Sequence, residues 1–123
     1  MPSSDLIEGG YVQGAGWLGC EEVNWKTNGQ ITTHSPSTYK IPAASDMPEK
    51  FNAEIFKKGK NIENVINKSK TTGEPPLMNA MSVFFAIKNA IASIGNYNIN
   101  PKLDAPATPE KILMSIKDLK KKI

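Results

Sequence analysis

The chain is 123 residues long, enough for one modest domain, and its 39% hydrophobic and 22% charged residues are those of a globular sequence. The net charge of +3 comes entirely from lysine, because the sequence contains no arginine, whereas nucleic-acid readers lean on arginine for bidentate base contacts and on aromatic residues for stacking. Composition therefore argues against a nucleic-acid partner, the lack of a long apolar run argues against a membrane span, and the single cysteine, Cys20, excludes an internal disulfide and fits a cytoplasmic protein.

In chain order, the opening MPSSDLIEGG has neither the basic nor the apolar region of a secretory signal. The stretch DLIEGGYVQGAGWLGCEEV spaces Ile7, Tyr11, Ala15 and Leu18 three or four apart, which predicts a helix. Gly9, Gly10, Gly14, Gly16 and Gly19 each weaken such a helix by roughly 1 kcal/mol relative to alanine. Another backbone or a ligand is thus expected close to its bare face. Gly14 to Gly19 formally match the dinucleotide fingerprint GxGxxG, but that motif must follow a strand and open a helix, and here the helical pattern has already begun. Glu8 reads as an acid of the first helical turn.

EEVNWKTNGQITT flanks the turn cluster Thr27-Asn28-Gly29 with strand-like residues and predicts a hairpin. HSPSTYKIPAASDMPEKF, with three prolines, predicts an ordered loop. FNAEIFKK alternates Phe51, Ala53 and Ile55 with Asn52, Glu54 and Phe56, as a short strand does, and a second short strand is expected around NVIN. Leu77 to Ile94 is apolar nearly all round and predicts a buried helix stopped at Gly95, longer in its apolar surface than so short a chain can cover. A partner surface is expected there. ATPEKILMSIKDLKKKI closes the chain as an amphipathic helix, with Thr108 as N-cap, Pro109 at the first position, and Lys120, Lys121 and Lys122 as solvated cations at its end.

The chemical inventory is sparse. With one histidine and one cysteine, no His/Cys metal set is available, and the metal assignment from the residues is none. His34, with Ser35 or Ser37 and Asp46, could form a hydrolase-like trio, but no nucleophile-elbow pattern accompanies it. Glu74 is more distinctive. Pro75 disfavours the α conformation for the residue before it, so Glu74 is expected extended just ahead of the helix, while Pro75 and Pro76 suit a first turn whose N–H groups have no intrahelical partner. From these residues alone, helix capping and presentation of a general base both remain open.

GEPPL followed by SVFFAIKNAI, the upstream PSTYKIP, the opening IEGGYVQGAGW with EE shortly after, and the late LDAPATPEKI together resemble the xanthine dehydrogenase and aldehyde oxidase family of molybdenum hydroxylases. The resemblance extends over nearly the whole chain, in the family's order and spacing, and matches the C-terminal end of the molybdopterin-binding part. It implies that residues 1–123 form a single domain-like piece of that larger molybdenum-binding domain. It also implies an oxidoreductase that hydroxylates purines or aldehydes with water-derived oxygen, in which Glu74 is the catalytic general base. Molybdopterin with molybdenum would be the cofactor, present only in the assembled enzyme. The residues that contact it in this chain are unassigned, since Asp5-Leu6 stands where the family commonly has Gly-Gln, and iron–sulfur and flavin sites would lie elsewhere. The implied partner is the remainder of the subunit or another protein chain, with a homodimer as the other arrangement. The alternative to a catalytic piece is a non-catalytic remnant or protein-interaction module. The fold expected is α+β: a glycine-rich helix, a small antiparallel sheet and two C-terminal helices.

Overall fold

A computed structural model describes residues 4–68 and 74–123. Four α-helices follow one another, α1 (Ser4–Gly19), α2 (Glu74–Asn79), α3 (Met81–Ser93) and α4 (Pro109–Lys120), with single 3₁₀ turns at Ala44–Asp46 and Ile66–Lys68. Helix α1 packs chiefly on α2 and also on α3, and α3 packs on α4.

The glycines of α1 explain how it is held. A Cβ built on Gly14 would lie 2.7 Å from Ala80 Cβ and 2.8 Å from the Leu77 carbonyl oxygen, so α2 sits against α1 at a distance that only glycine permits. Ala80 is fully buried in this contact. A Cβ on Gly16 would collide with the Glu21 carboxylate and lie 2.7 Å from the Pro42 ring, so the proline-rich loop lies against the next part of the same helix. The predicted close approach is therefore made by protein at both Gly14 and Gly16.

The hydrophobic core lies where α3 meets α4. Ile91, Leu103, Ala107 and Leu119 are buried, with Phe84, Ile87, Ile99, Ile112 and Ile116 packed around them. Burying an aliphatic side chain of this size contributes on the order of 1.5–3 kcal/mol. Helix α4 matches its sequence pattern: Thr108 is an extended N-cap whose hydroxyl accepts from the Lys111 N–H at 3.4 Å, Pro109 opens the helix, and Ile112, Ile116 and Leu119 face inward. The segment before α4 is tied to the end of α1 by the Ala107 N–H, which donates to the Leu18 carbonyl at 2.7 Å, and by a Lys111–Glu22 ion pair at 3.5 Å.

The expected α+β arrangement is corrected: among the described residues there is no strand and no antiparallel sheet. The hairpin around Asn28-Gly29 is reduced to one antiparallel bridge, Trp25 to Ile31, although its turn is well formed, with Gly29 at φ 82° and its N–H bonded to the Lys26 carbonyl. A two-stranded ribbon is marginal without a third strand or an apolar bed, and Val23, Trp25 and Ile31 all face solvent. Residues 51–56 form no strand, and the strand expected near Val65 is replaced by the 3₁₀ turn, with Asn67 and Lys68 at φ 52°.

The buried helix expected from Leu77 to Ile94 is also revised. It breaks at Ala80 into α2 and α3, and only one side of it is covered, since Met78, Met81, Phe85 and Ile94 are exposed. Gly95 follows the helix end as expected, but the left-handed residues that turn the chain are Asn96 and Tyr97. Gly95 itself is buried where Leu119 of α4 would stand 3.3 Å from an added Cβ.

Candidate functional site

Glu74 is the first residue of α2, which corrects the expectation that it lies extended ahead of the helix. Pro75 and Pro76 then occupy the next positions of the first turn, where backbone N–H groups lack intrahelical acceptors, so two consecutive prolines cost no hydrogen bond. Hydrogen bonding and packing of α2 outweigh the preference of a residue before proline for extended backbone. The Glu74 side chain is exposed, while Pro76 on the same helix and Ala80 just after it are buried. One side of α2 is thus anchored on α1 and its first residue projects a carboxylate outward.

Beside this anchor, between α1, α2 and residues 48–54, lies a groove of about 430 Å³ whose walls include Ile7, Tyr11, Phe51, Pro76 and Asn79. The Tyr11 and Phe51 rings meet there with centroids 5.3 Å apart and planes tilted by 41°. Glu74 does not line the groove. Tyr11 was visible in the sequence only as part of the helical stripe, and its pairing with Phe51 carried no local signal.

The remaining sequence candidates do not converge. His34 Nδ1 is 3.2 Å from the Thr32 carbonyl, Ser35 shares its hydroxyl with Ser37 and Thr38 at 2.9 and 3.0 Å, and Asp46 accepts from the Ala43 N–H at 2.9 Å. The hydrolase-like trio is not assembled. Glu8 lies in α1 beyond its first turn, where the acid is Asp5. Among the described residues no group of three His, Cys, Asp or Glu side chains could hold a metal ion. None of the described helices is long and apolar enough to cross a membrane.

A polar clamp secures the loop that lies on α1. The Tyr39 hydroxyl donates to the Glu21 carboxylate, which holds the phenol proton and pushes the tyrosine above its ordinary range. Cys20, half-buried next to it, has its thiol raised first by burial and then by the Glu21 charge, so it is not an activated nucleophile. Because the folded Tyr39 value is raised, the stabilisation from this bond is fully present below the ordinary phenol range and is lost as pH rises through the folded value. Tyr39→Phe is expected to lower the urea midpoint at neutral pH, with the gap to the native chain closing in strong alkali. A gap that stays constant through the phenol range would remove this role for Glu21.

Residues 5–48, which include the clamped loop and all of α1 but Ser4, match the molybdopterin cofactor-binding domain model. Xanthine dehydrogenase/oxidase of Felis catus is 44% identical over 119 residues, covering 90% of this chain and 9% of that protein. Xanthine dehydrogenase 2 of Arabidopsis thaliana is 42% identical over 130 aligned residues, 95% of this chain and 10% of that protein. The corresponding protein of Emericella nidulans is 41% identical over 95% of this chain. The chain therefore spans about a tenth of the length of the curated relatives it matches. Identity at this level across animals, plants and a fungus, over nine-tenths or more of these residues, places the chain in the xanthine dehydrogenase family, to whose molybdopterin-binding region it is similar.

Proposed function

We propose that this chain is a C-terminal piece of the molybdenum-binding subunit of a xanthine dehydrogenase-type hydroxylase, and that its chemical contribution is the general base Glu74. The observation that carries this reading is the placement of Glu74: exposed, at the first position of α2, on a helix locked to α1 by backbone contact at Gly14. A base must be held within hydrogen-bond reach of the proton it takes, and a rigid support sets that geometry before substrate arrives.

A lone outward carboxylate suits a proton acceptor and does not suit a metal-holding site, which agrees with the absence of a ligand cluster among the described residues. The molybdenum cofactor, when bound, would supply the two-electron oxidation. Within this chain, Glu74 accepts the proton of the attacking water-derived oxygen, α1 and α2 fix its position, and the Tyr39–Glu21 clamp fixes the loop behind α1. The substrate class is a purine, in keeping with the xanthine in the names of the relatives, or an aldehyde, and the cytoplasm is the compartment that fits one unpaired cysteine.

The test is purification of the chain from its host under native conditions, with molybdenum and pterin quantified in whatever comes with it. A larger polypeptide, or further protein sequence, carrying both is the expected result. Recovery of the chain alone, free of metal and pterin, would overturn the catalytic reading in favour of a non-catalytic remnant or interaction module.

A further inference from the structure

Helix α4 carries a buried hydroxyl that no described residue satisfies. Ser115 is 4% exposed, and its Oγ has no hydrogen-bond partner. Such a group is costly to leave unpaired, and a serine within a helix has the carbonyl four residues back as a ready acceptor, which Ser115 does not use. It lines a hollow of about 150 Å³ between residues 99–102 and the last turns of α4 with the residues after it. That volume is several times the ~30 Å³ that one water occupies in the liquid.

The walls of the hollow have two characters. Ile99, Pro101 and Leu119 are apolar, whereas Lys102, Lys121 and Lys122 line it with a single carboxylate, Asp118. Asp118 pairs with Lys121 at 3.6 Å, and neither Lys102 nor Lys122 has an acidic partner among the described residues. Cations beyond a helix C-terminus complement the macrodipole, which accounts for Lys121 and Lys122. Lys102 precedes α4 and serves no helix end, yet it lines the same hollow.

From this combination we infer that the hollow is a binding site for a small carboxylate with a short apolar body. The hydrocarbon lies on Ile99, Pro101 and Leu119, and the carboxylate accepts from the Ser115 hydroxyl near the charges of Lys102 and Lys122. The unpaired hydroxyl decides for a ligand over a solvated lysine cluster, since surface cations need no buried donor. A phosphate fits less well, because one hydroxyl would leave most of its oxygens against apolar walls. The site is independent of the general base: α2, which carries Glu74, does not pack on α4.

The test is equilibrium dialysis of the full chain, as purified from its host, against radiolabelled butyrate, with 1-butanol and inorganic phosphate as competitors. Saturable binding is expected, displaced by neither competitor at equal concentration. Ser115→Ala should weaken it at least about tenfold, as loss of a hydrogen bond to a charged group does, and Lys102→Gln by about two- to fivefold, as loss of an exposed ion pair does. Ser115→Ala removes a group with no hydrogen bond to lose, so the fold should persist, and Lys102 is exposed. Absence of saturable binding, or equal affinity in the native chain and both variants, would overturn the site. Displacement by 1-butanol would overturn the choice of an anion, and displacement by phosphate the need for an apolar body.

Discussion

Glu74→Gln in the assembled enzyme is expected to reduce kcat by about 10²–10⁴-fold, the range over which a positioned general base acts. That range corresponds to roughly 2.7–5.5 kcal/mol of lost transition-state stabilisation. Glutamine keeps the size of the side chain and an acceptor oxygen, and α2 needs nothing from the carboxylate to fold, because the side chain is exposed and the helix is anchored through Pro76, Leu77 and Ala80. Assembly, bound metal and KM should therefore stay near their native values while turnover collapses. Glu74→Asp, which keeps the proton acceptor but withdraws it by one methylene, should fall between the two. Full turnover in the glutamine variant would leave Glu74 as a helix-start residue and remove the proposed base.

Gly14→Ala is the second large effect, and its sign runs against intrinsic propensity. In an open helix the change would stabilise by up to about 1 kcal/mol. At this position the new Cβ would stand 2.7 Å from Ala80 Cβ and 2.8 Å from the Leu77 carbonyl oxygen, and a backbone oxygen cannot rotate away. Overpacking of this kind costs about 1–3 kcal/mol, so a net loss of stability is expected. Gly9→Ala is the internal control: nothing lies within 4 Å of the added atom, and that variant should be as stable as the native chain or more so. Urea midpoints of the two variants decide the matter, and equal or opposite shifts would refute the close α1–α2 contact. In the assembled enzyme Gly14→Ala should also lower kcat, because α2 can only relieve the clash by moving, and a displacement near 1 Å at a catalytic group can cost on the order of 10²-fold.

The helices were visible in the sequence because their signals are local. Thr108-Pro109 marked the start of α4, the spacing of Ile112, Ile116 and Leu119 marked its inner face, and the GEPPL string marked the start of α2. The glycines of α1 announced that something must approach closely, yet not what, since the partners Ala80 and Pro42 are distant in sequence. The sheet failed for the complementary reason. Alternation in FNAEIFKK describes a side-chain pattern, whereas a strand is defined by backbone partners, and those are not among the described residues. The apolar run after Leu77 misled in the same way: hydrophobicity reports the need for cover, and here Phe85 and Met81 remain uncovered. For the site, residue type and motif located Glu74, but its position inside α2 required the structure, and the Tyr11–Phe51 and Tyr39–Glu21 pairings had no sequence signal at all.

The backbone contact between Gly14 and the Leu77–Ala80 turn joins residues separated by more than half of this chain. A helix with five glycines in sixteen residues has little tendency to form in isolation, because nucleation is costly and each glycine weakens propagation. On a ribosome, α1 would thus emerge long before the turn that supports it and remain unstructured until α2 has been made and docked. Loop closure over such a span precedes any gain from the contact. The first of the described helices is in this way among the last to be secured.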